Sequence, residues 1–207
     1  YNNPGTFDYT ITVNAIGTGG VTSTISKKIT VFVAFEIPAE IVQNLTGGSS
    51  KIWMSDKDEL GHFGVGPNNE FSPIWYAATP NSRDVCSYDD EVTFSKDANN
   101  NIFMSINNKG QSFSIGASTA FYGFGGGDAC LGVVTTGSKK LAFMDATSSS
   151  TPAVSTRIQF DVPGNGLIIF GTGGTTYEIL SITATTIHLR NIGIDGNSWY
   201  QKLKVKS

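Results

Sequence analysis

The chain contains 207 residues, of which 39% are hydrophobic, and its formal net charge is -3 at pH 7. This length is sufficient for one well-packed domain of ordinary size and a smaller second piece. The slightly acidic balance provides no basic surface for a polyanion, so nucleic acid is not an expected partner. No segment approaches the roughly 20 consecutive apolar residues of a membrane-spanning helix. The 24 glycines and the charged fraction of only 15% are typical of short strands joined by tight turns.

The first segment has the alternation of a β-hairpin. Apolar side chains occupy every second position of residues 7–15, which is the period of a strand with one buried face. The glycine-rich residues 17–20 predict a turn, and residues 21–33 return as a strand rich in Thr, Ile and Val. Pro38 cannot donate to a ladder and marks either an edge or a linker. Because an isolated hairpin is only marginally stable, we expect these strands to belong to a larger sheet whose other strands precede Tyr1.

Many short strands follow this joint, and together they predict an all-β domain. Residues 107–110 and the pair Ala184 and Thr185 predict hairpin turns. Only residues 40–45 are expected to be helical, since no longer segment keeps a 3.6-residue apolar period. Short strands at regular spacing are typical of an antiparallel sandwich or a barrel, and we favour the sandwich. The predicted strands are residues 51–54, 91–94, 102–106, 112–115, 131–134, 141–143, 157–162, 167–170, 177–183, 186–191 and 199–205.

The two cysteines, Cys86 and Cys130, are too far apart in the sequence for a CxxC redox or zinc motif. Two free cysteines with a structural role are the favoured interpretation, because an unpaired cysteine is commonly buried like a small apolar side chain. A disulfide between them is the alternative, which the spacing alone does not decide.

The densest acidic cluster is formed by Asp89, Asp90 and Glu91. A glycosidase needs one protonated and one ionised carboxyl group across the scissile bond. In a strand only Asp89 and Glu91 would share a face, and the alternating Glu, Asp and Glu of family 16 glycoside hydrolases is not found. We therefore predict no catalytic residues and a structural role for this cluster. No cofactor is expected either, with one alternative: the loop oxygens of Asp56, Asp58, Asp89 and Asp90 hold a structural calcium ion.

Trp75 and Tyr76 lie side by side in a polar segment rich in glycine and proline. In an extended strand two neighbours point to opposite faces, so one ring would face the core and the other solvent. An exposed ring suits a sugar, because a pyranose offers an apolar C–H face to the ring and hydroxyl groups to polar neighbours. Trp53 is also a core candidate, and His62 either donates to a ligand or fixes a turn. The candidate ligand-binding residues are Trp75, Tyr76, Trp53, His62, Asn81 and Asp84.

Two parts of the chain resemble known extracellular modules. Residues 4–13 resemble the closing strands of a polycystic-kidney-disease (PKD) type domain, an immunoglobulin-like spacer, because a Pro-Gly turn precedes alternating aromatics and threonines. Residues 40–205 resemble a glycan-binding module of Bacteroidetes outer-membrane proteins. The segments that carry this second resemblance are Gly61-His62-Phe63-Gly64-Val65-Gly66, Trp75-Tyr76-Ala77-Ala78, Tyr88-Asp89-Asp90-Glu91-Val92-Thr93-Phe94, Ile187-His188-Leu189-Arg190 and Trp199-Tyr200.

The resemblance implies a PKD-type spacer at residues 1–35 followed by a jelly-roll-like carbohydrate-binding sandwich at residues 36–207. It also implies non-catalytic binding of a β-glucan, such as laminarin or mixed-linkage glucan, at the extracellular face of the outer membrane. The membrane contact would be a lipid anchor on a preceding portion, and the partners would be the polysaccharide and other outer-membrane glycan-uptake proteins. The alternatives are an accessory domain of a family 16 glycoside hydrolase and a structural or adhesive module without a glycan ligand.

Overall fold

The computed structural model describes residues 5–33 and 35–206, and the chain divides into two compact units, Tyr1–Glu36 and Ile37–Ser207. The larger unit consists of largely antiparallel sheets, with a single α-helix among the residues described. The all-β, sandwich-like fold that the strand pattern predicts is therefore confirmed. The assignment of the smaller unit to a PKD-type spacer stays a prediction.

The smaller unit is a hairpin of two long strands, β1 (Gly5–Ile16) and β2 (Thr22–Val33), as the alternation predicts. One face of the hairpin is polar, and there the Thr30 hydroxyl donates a hydrogen bond of 2.8 Å to Asp8 across the ladder. The other face is apolar and contains side chains that are at least half exposed, namely Ile11, Val13 and Ile25.

The larger unit begins with helix α1 (Ala39–Thr46), after which the chain is built from short strands. Two 3-10 turns, Val85–Ser87 and Gly116–Ser118, interrupt the strands. The strands are β3 (Ser50–Ser55), β4 (Phe63–Gly66), β5 (Tyr76–Ala77), β6 (Glu91–Lys96), β7 (Ile102–Asn107), β8 (Ser112–Ser114), β9 (Ala129–Leu131), β10 (Lys139–Lys140), β11 (Ala142–Asp145), β12 (Ile158–Asp161), β13 (Phe170–Gly171), β14 (Thr176–Ile182), β15 (Thr186–Ile192) and β16 (Ser198–Val205).

Helix α1 confirms the one helical segment that the sequence predicts. Its apolar side chains at Ile41 and Leu45 are buried, which gives the short helix the tertiary packing that it needs to be stable. The helix ends at Gly47, whose φ of 61° is left-handed and favours glycine.

The main sheet has the strand order β10-β7-β6-β3-β16-β15-β14-β12-β11, and each neighbouring pair is antiparallel. The edge strands β10 and β11 are separated in the sequence only by Leu141. The sheet therefore curls until one continuous segment pairs with both of its ends, as at the corner of a sandwich. In the enclosed core the ring of Phe94 on β6 meets Phe160 on β12 edge-on, at a centroid distance of 6.2 Å.

A branch of the main sheet, formed by β4 and β5, supports a smaller sheet of β13, β8 and β9. The Phe63 ring on β4 stacks on Phe170 at 4.0 Å and meets Phe113 edge-on at 5.5 Å. Cys130 on β9 forms a disulfide with Cys86 in the first 3-10 turn, with their Cα atoms 6.0 Å apart. The prediction of two free cysteines is therefore wrong, because the pairing depends on how this turn packs against the small sheet and not on sequence spacing.

Two further differences from the predicted strands have local causes. Half of β4 is glycine, and a Cβ atom on Gly64 would lie 2.4 Å from the Cβ atom of Pro73, so this backbone is covered directly by a loop. Such a strand lacks the side-chain alternation by which a strand is recognised. Residues 107–110 form a turn but not a hairpin, because β7 belongs to the main sheet and β8 to the small one.

Candidate functional site

Two aromatic rings are exposed at the outer edge of the branch formed by β4 and β5. The exposed fractions are 60% for Trp75 and 42% for Tyr76. The Trp75 amide donates to the Val65 carbonyl oxygen at 3.1 Å, and Tyr76 pairs with Val65 in the ladder, whereas Trp75 itself lies at a bend that directly precedes β5. The outer edge of the branch therefore presents two accessible rings that are neighbours in the sequence.

Tyr76 shares its face with Trp199, because both residues are in register with Val65. Two strand spacings, about 10 Å, separate them. The half-buried Trp199 ring meets Phe63 edge-on at 5.7 Å, and its Nε1 donates to Asp195 at 3.1 Å. Trp199 is thus held in place by a core contact and a hydrogen bond, whereas Tyr76 is more exposed to solvent.

The opposite face of the sheet contains a row of polar side chains. Gln159, Glu178 and Arg190 are in register across β12, β14 and β15, and each is at least nine-tenths buried. These three residues form the floor of a cleft with a volume of about 350 Å³. The remaining lining residues are Asn68, Thr147, Ser148, Thr175, Thr176, Asn191 and Ile192.

The strand register relates β5 to this cleft. Arg190 is in register with Tyr200, Tyr200 with Gly64, and Gly64 with Ala77. Ala77 therefore lies on the same face of the sheet as Arg190, and Trp75 lies at the bend that precedes β5. Three strand spacings, about 14 Å, separate β5 from β15. A ligand that contacts both the exposed ring and the cleft must therefore be extended, such as a chain of several sugar units.

The floor of the cleft is held by a buried ion pair. Arg190 and Glu178 have only 4% of their surfaces exposed, and Nη1 of the arginine lies 3.6 Å from Oε2 of the glutamate. Oε1 of Glu178 accepts hydrogen bonds from the hydroxyls of Ser150 and Ser155, whereas Oε2 has no hydrogen-bond partner among the residues described. Since a buried charge without a partner is costly, the glutamate depends on the arginine.

Asn68 brings the loop of residues 67–73 to one wall of the cleft, and side chains of the sheet hold this loop through its carbonyl oxygens. The Arg190 Nε donates to the Glu70 carbonyl oxygen at 2.9 Å, and the Tyr200 hydroxyl donates to the same oxygen at 2.7 Å. The guanidinium also lies 4.7 Å above the Phe71 ring. The same arginine thus neutralises the floor and positions the wall.

The structure does not support two of the predicted ligand contacts. Trp53 is completely buried and donates from Nε1 to the Leu45 carbonyl oxygen at 2.9 Å, so its ring belongs to the core. His62 is 2% exposed, and its Nδ1 donates to the Glu59 carbonyl oxygen at 2.7 Å. Its Nε2 then accepts from the Tyr88 hydroxyl at 3.0 Å. Burial lowers the pKa of His62, which keeps this turn-fixing ring neutral.

Asn81 and Asp84 are exposed on the connection that follows β5. Asn81 has a left-handed φ of 57° and donates from its side chain to Asp58 at 3.1 Å. Asp84 immediately precedes the first 3-10 turn, and its carbonyl oxygen accepts from the Ser87 amide. Both residues thus have local structural roles, and no hydrogen bond in the described part of the chain joins them to Trp75 or Tyr76.

The cleft residues Gln159, Glu178 and Arg190 were not among the candidates from sequence. The available signal was the presence of ionisable side chains inside apolar strands, since Glu178 follows Tyr177 and Arg190 follows Leu189 in segments predicted as strands. A buried charge in a strand needs a partner, and the hairpin turn between these strands makes them neighbours.

The acidic pair Asp56 and Asp58, one half of the calcium alternative, already has a cation. Lys204 lies 3.4 Å from the first carboxylate and 2.6 Å from the second. The hydrogen bond from Lys204 holds the pKa of Asp58 below its usual range. Over residues 5–33 and 35–206, no group of three or more His, Cys, Asp or Glu side chains is arranged to hold a metal ion.

Comparisons with known proteins give no family assignment. No helix within the described ranges is long and apolar enough to cross a membrane. No protein-family model matches the chain, and no curated protein matches it significantly, so the site described above has to be interpreted from its own geometry and chemistry.

Proposed function

We propose that this chain binds a β-glucan without cleaving it, with laminarin-type or mixed-linkage chains as the leading ligands. The observation that carries this proposal is the exposed Trp75 ring beside β5, in the same unit as a polar cleft. Tyr76, in β5, presents a second accessible ring.

The chemistry of the surface suits an oligosaccharide. The C–H face of a pyranose would stack on the Trp75 indole, and the hydroxyl groups would meet amide and hydroxyl side chains of the cleft such as Asn68, Gln159 and Thr176. The separation of about 14 Å between β5 and β15 favours a chain over a single sugar. An open site of this kind is expected to have a Kd in the micromolar to millimolar range.

The carboxylates of the cleft favour binding over hydrolysis. A glycosidase needs two carboxyl groups about 5 to 9.5 Å apart across the bond that is cleaved. Among the cleft residues described, Glu178 is the one carboxylate, and it is engaged by Arg190 and two serine hydroxyls. This arrangement leaves no second group to act as acid or base.

We further infer that the protein acts at the extracellular face of an outer membrane, within a polysaccharide utilisation system and next to glycan-uptake proteins. The support for this location is the family resemblance together with the disulfide between Cys86 and Cys130. Disulfides persist in oxidising compartments outside the cytosol. The finer assignments, including the lipid anchor and the PKD-type spacer, depend on the resemblance alone.

The test is affinity electrophoresis of the purified chain in gels that contain laminarin, mixed-linkage β-glucan, xylan or no polysaccharide. We expect retention on one or both β-glucans and its loss in Trp75→Ala, with an unchanged melting temperature. Phe124→Ala removes another exposed ring, 40% exposed and outside the cleft lining and β5, and should keep wild-type retention.

Three other outcomes would count against this proposal. Migration unaffected by every polysaccharide would refute glycan binding and favour a structural or adhesive module. Release of new reducing ends from the β-glucan would refute the non-catalytic assignment. A fall in melting temperature of Trp75→Ala that accompanies the lost retention would show that the ring serves the fold.

A further inference from the structure

A cluster of buried oxygen atoms without hydrogen-bond partners lies where the first 3-10 turn leads into β6. Asp90 is completely buried, and neither of its carboxylate oxygens has a partner with hydrogen-bond geometry among the residues described. Oδ1 of Asp89 is also buried without a hydrogen-bond partner among these residues. The hydroxyls of Ser87 and Ser112 are also buried without a partner, and these two serines are 2% and 0% exposed.

These oxygens come from segments that pack together. The Ser112 hydroxyl lies beside the Asp90 carboxyl group, and the charge of Asp89 acts on the same group. The turn that ends at Ser87 packs against β8, which contains Ser112. Burial raises the pKa of Asp90 to about 8, and Ser112 opposes this rise. Two carboxyl groups adjacent in the sequence and two serine hydroxyls thus supply buried oxygen atoms from segments that pack together.

Other shielded carboxylates of this unit have a cation beside them. Glu178 is paired with Arg190, and Asp56 with Lys204. Glu91, the residue that follows Asp90, has two lysine ammonium groups at 2.9 Å. No ion pair in the described part of the chain involves Asp89 or Asp90. An ionised carboxylate that is buried needs a counterion, and a bound cation would supply one to this cluster.

We propose that Asp89, Asp90, Ser87 and Ser112 bind a hard divalent cation, with Ca²⁺ as the preferred ion. All four side chains offer oxygen, which is the donor that Ca²⁺ selects, and backbone carbonyls or water would complete its six to eight ligands. Zinc is disfavoured because it prefers thiolate and imidazole ligands, and the nearest cysteine, Cys86, is locked in a disulfide. Mg²⁺ is disfavoured because it demands a near-ideal octahedron and keeps several waters.

The cation would act together with the disulfide. Cys86 joins the 3-10 turn to β9, while the proposed ion joins the end of that turn and the start of β6 to β8. The two links would fix the connection between β5 and β6 at neighbouring points. The inference is independent of glycan binding, since none of its ligands lines the cleft or belongs to β5.

The alternative is that Asp90 is buried as a neutral, protonated acid, and Asp90→Asn separates the two explanations. We expect 1 mM CaCl₂ to raise the wild-type melting temperature above its value in EDTA by about 5–10 °C, if the Kd is about 10 µM. Asp90→Asn should lose this response, because an amide cannot neutralise the ion. Asp145→Asn, a change at an exposed position, should keep it.

Calorimetric titration with CaCl₂ provides the second measurement and should give one site per chain, absent in Asp90→Asn. If that variant does not fold, Asp89→Asn and Ser112→Ala serve instead, and each should weaken Ca²⁺ binding at least tenfold. The proposal is overturned if the wild type binds no Ca²⁺, or if Asp90→Asn still binds it. Equal melting temperatures of the wild type in EDTA and in CaCl₂ would overturn it as well.

Discussion

The ion pair between Arg190 and Glu178 lies on the buried floor of the cleft, so removing one partner leaves the other charge without compensation. Arg190→Met deletes the contact at 3.6 Å and the hydrogen bond from Nε to the Glu70 carbonyl oxygen. It keeps an apolar chain of similar length over the Phe71 ring. Breaking a buried pair in this way costs about 3–5 kcal/mol, and we expect the free energy of unfolding to fall by that amount.

Urea unfolding followed by tryptophan fluorescence measures this loss directly. All three tryptophans of the chain lie in the larger unit, Ile37–Ser207, so the signal reports the sheet that contains the pair. Asp58→Asn is the matched control, because it breaks the pair with Lys204, in which the two side chains are 57% and 33% exposed. An exposed pair contributes little to stability, so the control should shift the urea midpoint far less.

The double variant Arg190→Met with Glu178→Gln tests the reason for the loss. The glutamine removes the uncompensated charge and keeps an oxygen that accepts from Ser150 and Ser155. We expect the double variant to be more stable than Arg190→Met alone by about 1–3 kcal/mol, which is the usual coupling between contacting groups. The reasoning would be refuted if the losses in unfolding free energy of the two single variants added up to that of the double variant. A urea midpoint of Arg190→Met equal to that of Asp58→Asn would refute it as well.

Two further predictions concern the disulfide and pH. The link between Cys86 and Cys130 closes a loop of 44 residues. The double Cys→Ser variant should therefore lose about 4 kcal/mol in the free energy of unfolding, measured with urea. A loss below about 1 kcal/mol would contradict a stabilising link. Burial, with the charge of Lys202, lowers the pKa of His188 to about 4. This histidine therefore contributes stability above pH 6.5 that is lost as the pH falls toward 4. His188→Gln should reduce the difference in unfolding free energy between pH 7 and pH 4 by up to about 3 kcal/mol. Identical pH profiles of the wild type and the variant would rule this out.

Much of the fold follows from periodicity alone, because a strand with one buried face needs alternating side chains. The hairpin of β1 and β2 and the final strands β15 and β16 have this alternation, and the structure confirms them with bounds within two residues of those predicted. β4 and β5 were missed because their formation depends on distant parts of the chain. Pro73 and β16 supply the contacts that hold β4, and neither is adjacent to it in the sequence.

The exposure of Trp75 could be predicted from the sequence, but the burial of Trp53 could not. A tryptophan surrounded by glycine, proline and polar residues has no strand period that would bury it, and the Trp75 ring is indeed 60% exposed. The same reasoning did not decide whether Trp53 is buried or exposed, since a buried indole needs a partner for its N–H group. That partner is the Leu45 carbonyl oxygen at the end of helix α1, which only the folded chain brings within 2.9 Å.

The charge pairing in the cleft depends on one strand irregularity that no local sequence pattern predicts. With a tight turn at Ala184 and Thr185, a regular ladder pairs Ile182 with Ile187 and, continued without interruption, would place Glu178 opposite Asn191. A bulge between Ile179 and Ser181 shifts the register by one residue and brings Arg190 opposite Glu178 instead. Because a one-residue slip moves every later side chain to a new partner, the bulge decides whether the buried carboxylate meets a cation or an amide. The charge balance of the cleft is therefore a consequence of strand register.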